Sequence, residues 1–121
     1  MGKMKEGFRT FTGESLREVV FPLGGIGTGT VGLHGSGRLI DWEIFNAPNK
    51  GTEAPATGFL IRAQEKGKDA VTKVLASKRM PPYTSLVHGG TEYHYTPFQF
   101  AGLPHLESAA FRGEYPFAYI D

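Results

Sequence analysis

Apolar and polar residues alternate with a two-residue period over much of this chain, which predicts strands. The plainest case is Ile40, Trp42 and Ile44, interleaved with Asp41 and Glu43. Just before them, Gly35-Ser36-Gly37 offers the positive-φ positions of a tight hairpin turn. Upstream, Thr28, Thr30 and Val31 are β-formers, so paired strands are expected at about 19–33 and 38–45. Gly24, Gly25 and Gly27 mark places where that strand bends or another backbone passes close.

The same period recurs downstream. Residues 58–64 read as a strand with Phe59, Ile61 and Ala63 on one face. Glu65 to Asp69 forms the turn, and Val71 to Ala76 pairs back. Tyr93 to Phe100 alternates but contains Pro97, which suits an edge or bulged strand. Leu106–Phe111 and Tyr115–Asp121 flank Arg112-Gly113-Glu114 as a last hairpin. Asn46 to Thr57 reads as a long loop, and Met1 to Glu18 as a polar lead-in with one short turn around Glu14 to Arg17. No stretch of 12 residues shows helical periodicity. The expected fold is all-β, an antiparallel β-sandwich built from residues 19–121. Phe117 to Asp121 reads as a strand in progress, so the expected domain is the incomplete N-terminal part of a larger sandwich.

The glycine run contains a formal G-x-G-x-x-G at Gly27 to Gly32. A dinucleotide loop needs a helix behind it to hold the pyrophosphate at its N-terminus. His34-Gly35-Ser36-Gly37 follows two residues later, which leaves no room for that helix. No Gly-Lys-Ser/Thr occurs either, which excludes a Walker loop. The tract is therefore read as sheet-forming backbone, and no nucleotide cofactor is expected.

Charge narrows the function further. Among 121 residues, 13 basic and 12 acidic side chains leave a net charge of +1. That gives no electrostatic footing on nucleic acid. The chain has no cysteine, which excludes disulfides and thiolate chemistry. It shows no apolar core of a signal peptide and no transmembrane run, so a cytoplasmic location is expected.

Four groupings carry candidate chemistry. Asp41 and Glu43 share a strand face about 6–7 Å apart, a spacing found in glycosidase carboxylate pairs, but adjacent strand carboxylates point the same way. They are expected on a solvated face opposite Trp42. His88, Glu92 and His94 have one parity, yet Gly89-Gly90 breaks the strand and a fourth ligand is missing. His34 and His105 look like loop residues, and no serine sits in a Gly-x-Ser-x-Gly elbow. Tyr93 and Tyr95 are the best candidates for an exposed, sugar-stacking pair. No catalytic, cofactor-binding or metal-binding residue is assigned, and no substrate-binding residue can be named.

Two segments carry a resemblance. Phe21-Pro22-Leu23-Gly24-Gly25-Ile26-Gly27-Thr28-Gly29, with the glycine hairpin and the Trp42 strand ending near Asn46, is the first. Gly113-Glu114-Tyr115-Pro116-Phe117-Ala118 is the second. Together they resemble the N-terminal domain of glycoside hydrolase family 116, the bile-acid β-glucosidase or non-lysosomal glucosylceramidase type. The resemblance implies a non-catalytic β-sandwich segment that scaffolds a C-terminal (α/α)6 catalytic domain. It implies that the parent enzyme cleaves β-glucosides with two carboxylates of that helical domain, so none is expected here. The alternative reading is a free-standing carbohydrate-binding β-sandwich.

Overall fold

A computed structural model of the chain describes residues 9–50, 57–78, 100 and 102–121. Nine strands are described: β1 Thr10–Thr12, β2 Val20–Leu23, β3 Thr30–His34, β4 Leu39–Glu43, β5 Leu60–Ala63, β6 Val71–Ser77, β7 His105–Leu106, β8 Ala110–Glu114 and β9 Phe117–Ile120. They form three three-stranded sheets, ordered β1-β8-β9, β2-β3-β4 and β5-β6-β7. The fold is all-β and sandwich-like. The only helical element among the described residues is a 3-10 turn, Gly13–Arg17.

The expected strand at 19–33 is two strands. Gly24 to Gly29 folds back on itself, and β2 and β3 pair antiparallel from Val20↔His34 to Leu23↔Val31. Gly24, Gly27 and Gly29 all have positive φ, a conformation that costs glycine nothing. A Cβ on Gly24 would lie 2.3 Å from the carbonyl oxygen of Gly29, so the crossing admits no side chain. The expected β3–β4 hairpin is present, antiparallel, with Gly35-Ser36-Gly37 in its turn.

The lead-in also contains a strand. β1 pairs with β8 through Thr10↔Arg112, Phe11↔Phe111 and Thr12↔Ala110. Three residues are too few for a periodic signal, and only the distant partner makes them a strand. The last hairpin turns at Tyr115-Pro116 and not at Arg112-Gly113-Glu114, which lies inside β8. Gly113 is there for packing: the ring of Phe21 approaches to 3.0 Å of where its Cβ would be. The β6–β7 pair is parallel, unlike the expected all-antiparallel pattern. Most of the predicted strand at Tyr93 to Phe100 lies outside the described residues.

The core forms between the first two sheets. Leu16, Ala109 and Phe111 are buried, with Phe11, Val19, Phe21, Leu33 and Ala118 packed against them. Phe21 and Phe111 meet at 6.5 Å between ring centroids, tilted by 53°. Burying a side chain such as Phe111 contributes about 2–3 kcal/mol. The third sheet joins at the β3–β4 turn, where the amide of Ser77 donates to the carbonyl of Ser36 at 2.9 Å.

Candidate functional site

The two ends of the β3–β4 hairpin carry four of the five buried polar residues among those described, His34, Ser36, Arg38 and Asp41, and they are built differently. At the turn, His34 is 1% exposed, not the loop residue its neighbours suggest. Its Nδ1 accepts from the Ser36 amide at 3.2 Å and lies 2.7 Å from Ser36 Oγ. Its Nε2 lies 3.2 Å from the carbonyl of Arg17. These partners assign the neutral ring with the proton on Nε2: Nδ1 accepts, Nε2–H donates to Arg17, and Ser36 Oγ accepts from Arg38 Nε at 3.0 Å. Burial, with the Arg38 charge beside it, depresses the His34 pKa from 6.5 to about 3. Both ring nitrogens of His34 and the Ser36 hydroxyl are used within the fold. Ser36 is a linker in this network, with no feature of a nucleophile.

At the other end β4 bulges. Gly32 pairs with Ile40 and Thr30 with Glu43, so three steps on β4 match two on β3. Asp41 takes up the extra residue with φ +51°. The bulge overturns the expected alternation. Register places Val20, Pro22, Thr30, Gly32, Ile40 and Glu43 on one face of the sheet. Asp41 is 1% exposed, so it is not on a solvated face. The opposite face carries Phe21 and Leu33 into the core.

Lys50 reaches back over both carboxylates. Its Nζ lies 2.7 Å from Glu43 Oε2 and 3.5 Å from Asp41 Oδ2. The hydrogen bond from Lys50 lowers the Glu43 pKa, and the same bond raises that of Lys50. A cavity of about 210 Å³ lies here, lined by Val20, Pro22, Thr30, Gly32, Asp41, Glu43 and Lys50. Gly32 makes its floor, since a Cβ there would lie 2.8 Å from Val20 Cγ1.

Two loops extend this end. In the Gly24–Gly29 turn, the Gly25 amide donates to Thr28 Oγ1 at 2.8 Å, and that hydroxyl lies 2.9 Å from the Gly25 carbonyl. Gly29 sits against the end of β4, where a Cβ would meet the Glu43 carbonyl at 2.7 Å. In the second loop, Asn49 Nδ2 donates to the Trp42 carbonyl at 3.3 Å. Phe45 and Asn46 hold φ of +57° and +54°. Such residues cost about 1–3 kcal/mol each. Phe45 is nevertheless 92% exposed and Asn46 is exposed too, so burial does not offset the strain. Between the loops lies a cleft of about 400 Å³, lined by Gly27, Gly29, Glu43, Asn46, Ala47 and Pro48.

The sequence singled out Asp41 and Glu43, and the structure brings them to one cavity, bridged by one lysine and not set on two sides of a bond. His88, Glu92, His94, Tyr93 and Tyr95 lie outside the described residues. His105 lies in β7, its Nδ1 2.9 Å from the Leu103 carbonyl. Among the described residues no three His, Cys, Asp or Glu side chains are grouped to hold a metal ion. No helix among them is long and apolar enough to cross a membrane. Sequence reasoning missed Lys50, Phe45 and Asn46. The Asn-Ala-Pro-Asn stretch signalled only a loop.

The family model described as beta-glucosidase 2, glycosyl-hydrolase family 116 N-term matches residues 20–121. No curated protein matches the chain. The matched span takes in eight of the nine strands, from β2 to β9, and both ends of the β3–β4 hairpin. The chain belongs to the N-terminal domain family of glycosyl hydrolase family 116.

Proposed function

We propose that this chain is the non-catalytic scaffold of a family 116 β-glucosidase, holding a C-terminal (α/α)6 catalytic domain. The reading rests on the family match over residues 20–121. Physical support comes from apolar surface on the third sheet. Phe59, Ile61, Val71 and Leu75 lie on one face of β5 and β6, and all four are exposed. Contiguous apolar patches of this kind mark surfaces that meet another body. On β9, Phe117 and Tyr119 are also exposed. Residues 19–121 then act as one part of a sandwich domain, and the parent enzyme cleaves β-linked glucosides by a retaining route with two carboxylates of the helical domain. Glucosylceramide is one substrate of this chemistry, and a cytoplasmic location accords with it.

The chain's own carboxylates fit a structural part. Asp41 and Glu43 are joined through Lys50, so neither is poised as a general acid or nucleophile. Co-expression with the helical domain tests the reading. The two polypeptides are expected to co-purify and to hydrolyse a β-glucoside, and a helical domain that never associates with this chain refutes it.

A further inference from the structure

Three three-stranded sheets leave six strand edges among the described residues. An open edge presents a row of backbone donors and acceptors, a template for another strand unless something blunts it. Five of the six are short, interrupted or charged. β1 has three residues and β7 two. β2 carries Pro22, which has no amide hydrogen to offer. β4 bulges at Asp41, and the Asn49 side chain already bonds its Trp42 carbonyl. β5 carries the charged Arg62 midway. Only β9, Phe117–Ile120, has no charge, proline or bulge in its span.

Register fixes which groups β9 offers. Ala110 and Asp121 exchange both backbone hydrogen bonds, at 2.8 and 3.0 Å. Antiparallel ladders alternate, so Arg112↔Tyr119 and Glu114↔Phe117 are also bonded pairs. Phe117, Tyr119 and Asp121 therefore turn their amides and carbonyls toward β8. Ala118 and Ile120 turn theirs outward, where no further strand lies among the described residues.

This edge is complementary to itself. An antiparallel second copy sets Ala118 against Ile120 of that copy and Ile120 against its Ala118, which uses every outward amide and carbonyl of both. Shifting the register either way leaves Ala118 or Ile120 facing itself and takes the rest of the pairing out of β9. Tyr119 then lies on the two-fold axis, opposite its own copy in a close, non-bonded pair. The Arg112 guanidinium holds its ring from 4.4 Å, and Glu114 offsets that charge at 3.4 Å. On the inner face Ile120, 36% exposed, comes beside Ala118, which packs on the core of Leu16, Ala109 and Phe111. The two Asp121 residues fall about 13 Å apart, beyond the screening length of about 8–10 Å.

We propose that the β9 edge is a homodimerisation surface, where two copies of this chain pair antiparallel into one six-stranded sheet. One strand edge buries less than the roughly 1,200 Å² of a lasting complex, so the dimer is reversible, half-formed at about 100 µM. The inference goes beyond the scaffold role and does not depend on it.

Sedimentation equilibrium of the full chain from about 5 to 500 µM should show monomer giving way to dimer. Ile120→Lys should weaken association about tenfold, and Val71→Lys, on the exposed face of β6, should leave it unchanged, both with the circular dichroism of the parent chain. The chain has no cysteine, so one introduced thiol reports the register. A close pair sets Cα atoms about 4.5 Å apart, within disulfide reach. With glutathione disulfide as oxidant, Tyr119→Cys should cross-link into a dimer. Phe117→Cys, which faces Asp121 of the second copy, should not. A chain that stays monomeric at about 500 µM overturns the proposal. So does a dimer dissolved by Val71→Lys and not by Ile120→Lys, or equal cross-linking of the two thiol variants.

Discussion

The β3–β4 hairpin is closed at its turn and open at its base, and the two ends use similar residue types to opposite effect. At the turn, buried His34, Ser36 and Arg38 bond one another and the Arg17 carbonyl. At the base, Asp41 and Glu43 share a lysine whose side chain is 56% exposed, beside two clefts and an exposed phenylalanine. Satisfied and sealed polar groups specify a fold. At the base the carboxylates face a cavity, and the backbone beside them is strained. The difference separates what builds this domain from what it presents.

The largest expected effect lies at the closed end and follows pH. The folded pKa of His34 lies near 3, below the 6.5 of an unfolded histidine. Between these values the unfolded chain binds a proton that the fold refuses, so ∂ΔG/∂pH is positive there. The stabilisation is complete above pH 6.5 and is lost as pH falls toward 3. The whole excursion amounts to about 5 kcal/mol. Urea melts of the parent chain and of His34→Gln across this range should diverge by that much in total, at up to about 1.4 kcal/mol per pH unit. Identical slopes would show that His34 is protonated in the fold.

Glycine substitutions sharpen the contrast. At Gly37, φ is +94° and a Cβ would meet the Leu75 carbonyl at 2.5 Å. Gly37→Ala should therefore cost about 3 kcal/mol, by strain and by parting the turn from β6. Gly27 also has positive φ, +75°, but open space around it. Gly27→Ala should cost only about 1 kcal/mol in the same melts. Equal losses would erase the distinction between the ends.

At the open end a substitution should even stabilise. Phe45 is 92% exposed with φ +57°, so Phe45→Gly removes strain and little contact. A gain of about 1 kcal/mol is expected by denaturant melt. A clear loss of stability would mean that Phe45 serves the fold. The smallest effect belongs to Lys50→Met, about 0.5 kcal/mol at low salt and vanishing in 1 M salt, as for an exposed cation.

Most of the β3–β4 hairpin was legible in the sequence. Gly-Ser-Gly marks its turn, and Ile40, Trp42 and Ile44 mark its second strand. The split of residues 19–33 was not, because a glycine run fits an extended strand and a reversal equally until β2 and β3 are seen to pair. The Asp41 bulge was hidden for a related reason. An extra residue exists only relative to a partner strand, and its effect is to turn a predicted solvated carboxylate inward. His34 looked like a loop residue because one of the partners that hold it, the Arg17 carbonyl, lies 17 residues away. The family kinship was readable in Phe21 to Asn46 and in Gly113 to Ala118. Lys50 and Phe45 were not, since a loop's strain and a bridging ion pair leave no periodic trace.

Nitrogen-15 NMR of the His34 ring across pH 7 to 4 tests the division between sealed and open ends most directly. A ring that stays neutral throughout, with its proton on Nε2, is the predicted result. A ring that titrates near the ordinary 6.5 would place His34 in water and contradict the account.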